Sequence, residues 1–136
     1  MKATIDANVL FSALLRDGLT RKALFSPELE LSAPEFLLAE FAKYRAFLSK
    51  KFSGSEKEFS ILLEKIISQI TFVPDAELKP FLPAAASIIP DKKDQLYIAC
   101  ALKEDTVIWS NDAHFRGQKR IRVKMTAELA KEAGLL

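Results

Sequence analysis

Ala3-Thr4-Ile5-Asp6-Ala7-Asn8-Val9-Leu10 places a short β-type run, an acid and the start of an apolar-rich segment in immediate succession. Val107-Ile108-Trp109-Ser110-Asn111-Asp112, far along the chain, again ends a β-type run in an acid. Working outward from these two stretches, the expected strands are Ala3–Ile5, Leu29–Ser32, Ile70–Val73, Thr106–Ser110 and Ile121–Lys124, with helical periodicity filling the intervals. Alternation of this kind is the pattern of parallel strands joined by right-handed helical crossovers. It predicts an α/β protein, a three-layer α/β/α sandwich around a central, mainly parallel five-stranded sheet, built as one domain over residues 1–136.

Several helix signals carry a mechanism. Pro34 stands where a first-turn proline is tolerated, and Phe36, Leu37, Phe41, Tyr44, Phe47 and Leu48 then recur at helical spacing up to Lys51 as one apolar face. After Phe52-Ser53-Gly54, Ser55 and Glu58 form a capping box that opens a second helix with Phe59, Leu62, Leu63, Ile66 and Ile67 on its packed side. The two make a helical hairpin at about residues 34–70. Pro80 and Pro83 limit the Phe81–Ile89 stretch to one or two turns. Thr126 is expected to cap a last helix that runs to Ala133 and stops at Gly134.

Composition narrows the class. In 136 residues, 49% hydrophobic and 28% charged, only 4 Gly and 6 Pro stand against 10 Phe, which excludes disordered, collagen-like and low-complexity chains. The lone Cys100 lies in the apolar run Tyr97-Ile98-Ala99-Cys100-Ala101-Leu102, so it reads as a buried thiol in a reducing compartment. Pro80 to Pro90, uncharged but interrupted by prolines, is far short of the roughly 18 apolar residues of a membrane span. Asp6 cuts off any secretory apolar region after Lys2, and the expectation is a soluble, cytoplasmic protein with no membrane partner. The net charge of +2 says little until the charges are placed.

Four acids stand apart from the core pattern. Asp6 and Asp112 each end a predicted strand, and in an open parallel sheet ligands bind beyond the carboxyl ends of the strands where strand order reverses. Each also has an ordinary reading as a helix N-cap. Glu40 lies along the edge of its helix's apolar face, between Leu37 at i−3 and Tyr44 at i+4, a place that also suits a border Glu paired with Lys43. Asp94 begins a helix whose packed side is Leu96, Ala99 and Cys100, with Asp91 three residues earlier, and an acid in a first turn is favoured by the helix dipole alone. Together, however, these acids recur at element ends that a parallel sheet brings to one side. Two carboxylates about 4 Å apart repel by roughly 4 kcal/mol at an effective dielectric near 20, so their convergence requires protonation or a cation. Oxygen donors select a hard ion, Mg²⁺ or Mn²⁺.

The constellation resembles that of the PIN-domain nucleases, the superfamily that includes the VapC-type toxin ribonucleases. The resemblance rests on Ile5-Asp6-Ala7-Asn8-Val9-Leu10, on Glu40, on Asp94-Gln95-Leu96-Tyr97-Ile98-Ala99-Cys100-Ala101-Leu102, and on Ile108-Trp109-Ser110-Asn111-Asp112-Ala113-His114-Phe115, in that order over nearly the whole chain. It implies a PIN-like fold and a metal-dependent hydrolase of RNA phosphodiester bonds. Asp6, Glu40, Asp94 and Asp112 are then the catalytic, metal-site acids, with Asp91 in an outer shell and Asn8 and Ser110 in supporting hydrogen-bonding positions. In that scheme Asp6 and Asp94 hold the main ion, Asp112 completes the shell or bridges to a second ion, and Glu40 positions or deprotonates the water. The family often carries a further Asp where this chain has His114, read here as a surface side chain. Also implied are a homodimer, a toxin role and a cognate antitoxin that inserts between the early helices.

Positive charge for a phosphate backbone is available beside Asp112, where Arg116, Lys119, Arg120, Arg122 and Lys124 crowd together, with Lys50-Lys51 and Lys92-Lys93 as smaller clusters. Arg116, Lys119 and Arg120 are the expected substrate-binding residues. The alternative function is a catalytically weak or inactive module of the same fold that binds RNA or a protein partner. A Ser-His-Asp or Cys-His mechanism is disfavoured, because one His and one Cys have no convincing partners.

Overall fold

The computed structural model describes all residues 1–136. Five strands, β1 (Lys2–Ile5), β2 (Glu30–Pro34), β3 (Ile70–Val73), β4 (Val107–Trp109) and β5 (Val123–Lys124), form one sheet in the order β3-β2-β1-β4-β5. Every pairing is parallel, where a mainly parallel sheet was expected. The chain builds outward from β1 to β3 and then returns to lay β4 on the other side of β1, so strand order reverses between β1 and β4. Asp6 and Asp112 therefore follow the two strands that flank the reversal.

Helices cover both faces. Ala3, Thr4 and Ile5 are all buried although consecutive side chains of a strand point to opposite sides. Helices α1 (Ala7–Leu15) and α2 (Leu19–Leu24) connect β1 to β2, and the hairpin of α3 (Phe36–Lys51) and α4 (Glu56–Ser68) connects β2 to β3. Three short turns follow: α5 (Asp75–Leu78), a 3₁₀ turn at Lys79–Phe81 and α6 (Leu82–Ile88), the last no longer than the prolines predicted. Then α7 (Lys92–Glu104) packs against β1, β2 and β4. A 3₁₀ turn at Ala113–Gly117 links β4 to β5, and α8 (Thr126–Glu132) ends the fold. No helix is long and apolar enough to cross a membrane.

Local chemistry explains most boundaries. Ser55 and Glu58 make the reciprocal capping box at 3.0 and 3.1 Å. Between the hairpin helices, a Cβ on Gly54 would meet the Phe52 ring at 2.7 Å, at a φ of +153° that side chains avoid. Asp91 caps α7 by accepting the N–H groups of Lys93 and Asp94.

Three expectations are corrected. Pro34 is the last residue of β2, opposite Val73, and not the first turn of α3; the missing N–H costs nothing, because β1 pairs only with Glu30 to Ser32 and the next N–H, of Glu35, reaches the Val73 carbonyl. Thr126 does not cap α8: its hydroxyl accepts the Trp109 indole and Asn111 amide N–H groups, both at 2.9 Å, and the cap position falls on Met125, whose N–H bonds Glu128. The α3 apolar face is only partly core. Leu37, Phe41 and Leu48 are buried, whereas Tyr44 is 49% and Phe47 55% exposed, since both side chains border an open cleft.

Candidate active site

Asp6 stands at the carboxyl end of β1 and is 5% exposed. Its backbone is extended, with the N–H bonded to the Trp109 carbonyl at 3.1 Å, which ties it to β4. Although it occupies the N-cap position of α1, its carboxylate makes no capping hydrogen bond. Instead the Ser110 hydroxyl donates to Asp6 Oδ2 at 2.8 Å, and Ser110 Oγ in turn accepts the N–H of Asp112 at 3.0 Å. One serine thus couples the acids that follow β1 and β4. Asp112 also receives the Asn8 side-chain amide at 3.1 Å and the His114 backbone N–H, so here the capping interaction is real.

Asp94 reaches the same place from the first turn of α7. Its side chain is 17% exposed, and Nε2 of His114 lies 3.7 Å from its Oδ1, while Nδ1 of His114 lies 3.5 Å from Asp112 Oδ1. The ring sits edge-on to the buried Phe115 ring at 4.7 Å, which fixes its height in the cleft. His114 is exposed, as its reading as a surface side chain expects, and its ring also borders the acidic cluster. The 3₁₀ turn after Asp112 swings the side chain two residues on back over the sheet end.

Electrostatics bind the group together. Burial pushes the Asp6 carboxyl above its ordinary 3.8, opposed by the Ser110 hydrogen bond and by His114, and reinforced by Asp112. Burial likewise raises Asp94; His114 opposes it, and Asp91, Asp6 and Asp112 add to it. No Lys or Arg pairs with any of these carboxylates, and the basic ring beside them is that of His114.

Glu40 approaches from α3 across a cleft of about 510 Å³. The Tyr97 hydroxyl, one turn beyond Asp94 on α7, donates to Glu40 Oε1 at 2.5 Å. Burial and Glu40 both push the Tyr97 phenol up, so at neutral pH it keeps the proton it donates to Glu40. The cleft wall also includes Phe11, Tyr44, Phe47 and Lys93. Tyr97 was legible in principle, since i+3 from Asp94 shares its helix face.

The other expected residues fall elsewhere. Asp91 lines the cleft, but its Oδ1 is engaged as the α7 cap. Arg116, Lys119 and Arg120 are exposed on the segment after Asp112 and do not line the cleft. Lys124 is buried and held by Glu132 at 2.7 and 2.8 Å, which removes it from the basic cluster.

The donor set fits a divalent cation. One carboxylate oxygen each of Asp6 and Asp112 and a ring nitrogen of His114 all lie within 4.8 Å of one another, with Asp94 adjoining His114. Such an ion would offset the buried negative charge that nothing else neutralises.

The fold has solved counterparts. A chain of VapBC2 from Rickettsia felis, crystallised with a DNA fragment from its promoter, superposes with a TM-score of 0.71 at 14% identity, covering 92% of this chain and 98% of that one. PAE2754 from Pyrobaculum aerophilum gives 0.71 at 15% identity over 100% and 91%. A chain of a toxin-antitoxin complex from Klebsiella pneumoniae gives 0.61 at 14% over 85% and 91%. At such identities the likeness is one of fold. Comparison with curated proteins gives no match. The sequence itself matches the PIN domain over residues 4–131, nearly its full length and all the acids described above, and by that match the chain belongs to the PIN domain family.

Proposed function

We propose that the protein is a Mg²⁺- or Mn²⁺-dependent endoribonuclease that hydrolyses phosphodiester bonds. The observation that carries this reading is the buried Asp6 carboxylate, which shares Ser110 with Asp112 and faces Asp94 with no Lys or Arg to balance the charge. When bound, the divalent ion supplies charge neutralisation at the phosphate and acidifies a water. Asp6, Asp94 and Asp112 would hold it. Ser110 and Asn8 fix two of those carboxylates through direct hydrogen bonds.

Glu40 has a separate task. Tyr97 holds its Oε1, which leaves Oε2 to take a proton from a water approaching the phosphorus. Lys93, in the cleft wall, offers positive charge to a neighbouring phosphate. No side chain need act as a nucleophile.

The likeness to chains of a VapBC complex and of another toxin-antitoxin complex supports a toxin role with a cognate antitoxin as partner. A homodimer and a cytoplasmic site of action belong to the same reading. The test is a gel assay of labelled single-stranded RNA with Mn²⁺, Mg²⁺ or EDTA, run beside Asp94→Asn purified identically. Metal-dependent cleavage by the wild type alone is expected. Equal cleavage by both proteins, or none with any ion, would sink the nuclease reading; tight RNA binding without products would favour the binding module.

A further inference from the structure

Neither ring nitrogen of His114 makes a hydrogen bond. Both point at carboxylates, at 3.5 Å to Asp112 and 3.7 Å to Asp94, distances too long for a hydrogen bond and too short for indifference. The backbone N–H of the same residue is tied to Asp112 and its ring is braced against buried Phe115, so the position of the ring is set by structure on two sides. A ring nitrogen also shares a sphere of 4.8 Å with oxygens of Asp6 and Asp112. Histidine ligands of metals commonly bind through one nitrogen and donate the other N–H to a carboxylate, and an imidazole lying between two acids is placed for both halves of that arrangement.

We infer that His114 is a nitrogen ligand of the divalent ion, and that it makes the site select Mn²⁺ over Mg²⁺. This rests on the proposed metal dependence and adds a ligand to it. Imidazole suits later transition ions, whereas an all-oxygen shell suits Mg²⁺ as well as Mn²⁺. A neutral nitrogen donor beside the carboxylates therefore shifts preference along that series.

The chain contains one histidine, which makes the test unambiguous. Untagged protein is loaded with Mn²⁺ and its electron-spin-echo modulation is recorded with ordinary histidine and with ¹⁵N-labelled histidine. A nitrogen modulation that changes with the label is expected. In calorimetric titrations, the ratio of Mn²⁺ to Mg²⁺ affinity should fall by about tenfold or more in His114→Asp. Bound Mn²⁺ whose spectrum ignores the label overturns the inference while leaving the metal site intact. Absence of Mn²⁺ binding by the wild type overturns the metal reading and this inference with it. The labelled wild type needs no variant, so a misfolded substitution does not blur the outcome.

Discussion

At the carboxyl ends of the strands, Asp6, Asp94 and His114 line a cleft of about 510 Å³. At the amino ends, Lys2, Glu30, Ser32, Glu104 and Thr106 line a depression of about 440 Å³. The two are similar in size and the amino-end depression is the more polar, and they differ in what lies beneath. Under the amino-end depression the buried groups are hydroxyls that satisfy one another: Thr4 bonds Ser32 at 3.0 Å and Thr106 at 2.6 Å. Under the carboxyl end lie the buried Asp6 and the half-buried Asp94 and Asp112, carboxylates that repel. Concavity and polarity alone are thus poor guides to chemistry. Buried like charges that the protein itself leaves unbalanced are a better one, because the fold bears their cost without a structural return.

The sharpest way to break the comparison is to remove one charge from the carboxyl end. Asp6→Asn keeps an acceptor for Ser110 and should lower cleavage by at least about 10²-fold. The same change should raise the melting temperature of the metal-free protein, because burial disfavours the ionised carboxyl at neutral pH. A variant that lost stability as well as activity would place Asp6 among the structural residues. Metal should act in the opposite sense. Mn²⁺ at about 100 times its dissociation constant should stabilise the wild type by roughly 2.7 kcal/mol, read as a thermal shift, and should leave Asp6→Asn nearly unmoved.

At the amino end the expectation is inverted. Thr4→Val preserves shape but strands the hydroxyls of Ser32 and Thr106, at a cost of about 1–3 kcal/mol. Cleavage per folded molecule should be unchanged, and denaturant unfolding beside the gel assay separates the two quantities. Loss of activity from this variant would show that the two ends of the sheet are coupled.

The comparison also explains what was legible from residues alone. Asp6 and Asp112 were found because each directly follows a β-type run, and the end of a strand is a position that period and composition reveal. Asp94 was singled out because it opens a helix within a stretch that resembles the family's, and Glu40 because it lies along the edge of a helix's apolar face. Tyr44 and Phe47 were misassigned because periodicity shows which side of α3 is apolar but not that part of this side borders an open cleft. His114 depended on the path of a 3₁₀ turn, and Thr126 on a contact with Trp109 seventeen residues earlier. Neither leaves a trace in local pattern, because both are fixed by strands meeting in space.

The smallest effect comes from Cys100, the titratable group beneath the amino end. It lies against Thr4 and Ser32, and burial pushes its thiol from 9.0 to about 11. Burial therefore raises a pKa at both ends of the sheet, with opposite consequences at neutral pH. The thiol is protonated there and its burial costs no charge; the carboxyl, raised from 3.8, bears the penalty whenever it ionises. In the unfolded chain the thiol ionises near 9, so the contribution of Cys100 is fully present below that pH and is lost as pH rises through about 11. By pH 10 the loss should be about 1 kcal/mol. Cys100→Ala removes only the thiol's share of any change over this range. Melting temperatures of wild type and variant, taken from pH 8 to 10.5, should converge as pH rises, since the wild type alone loses this contribution. Parallel curves would mean that the thiolate is accommodated where it sits, and that the hydroxyls around it already supply at the amino end the compensation that the carboxyl end lacks.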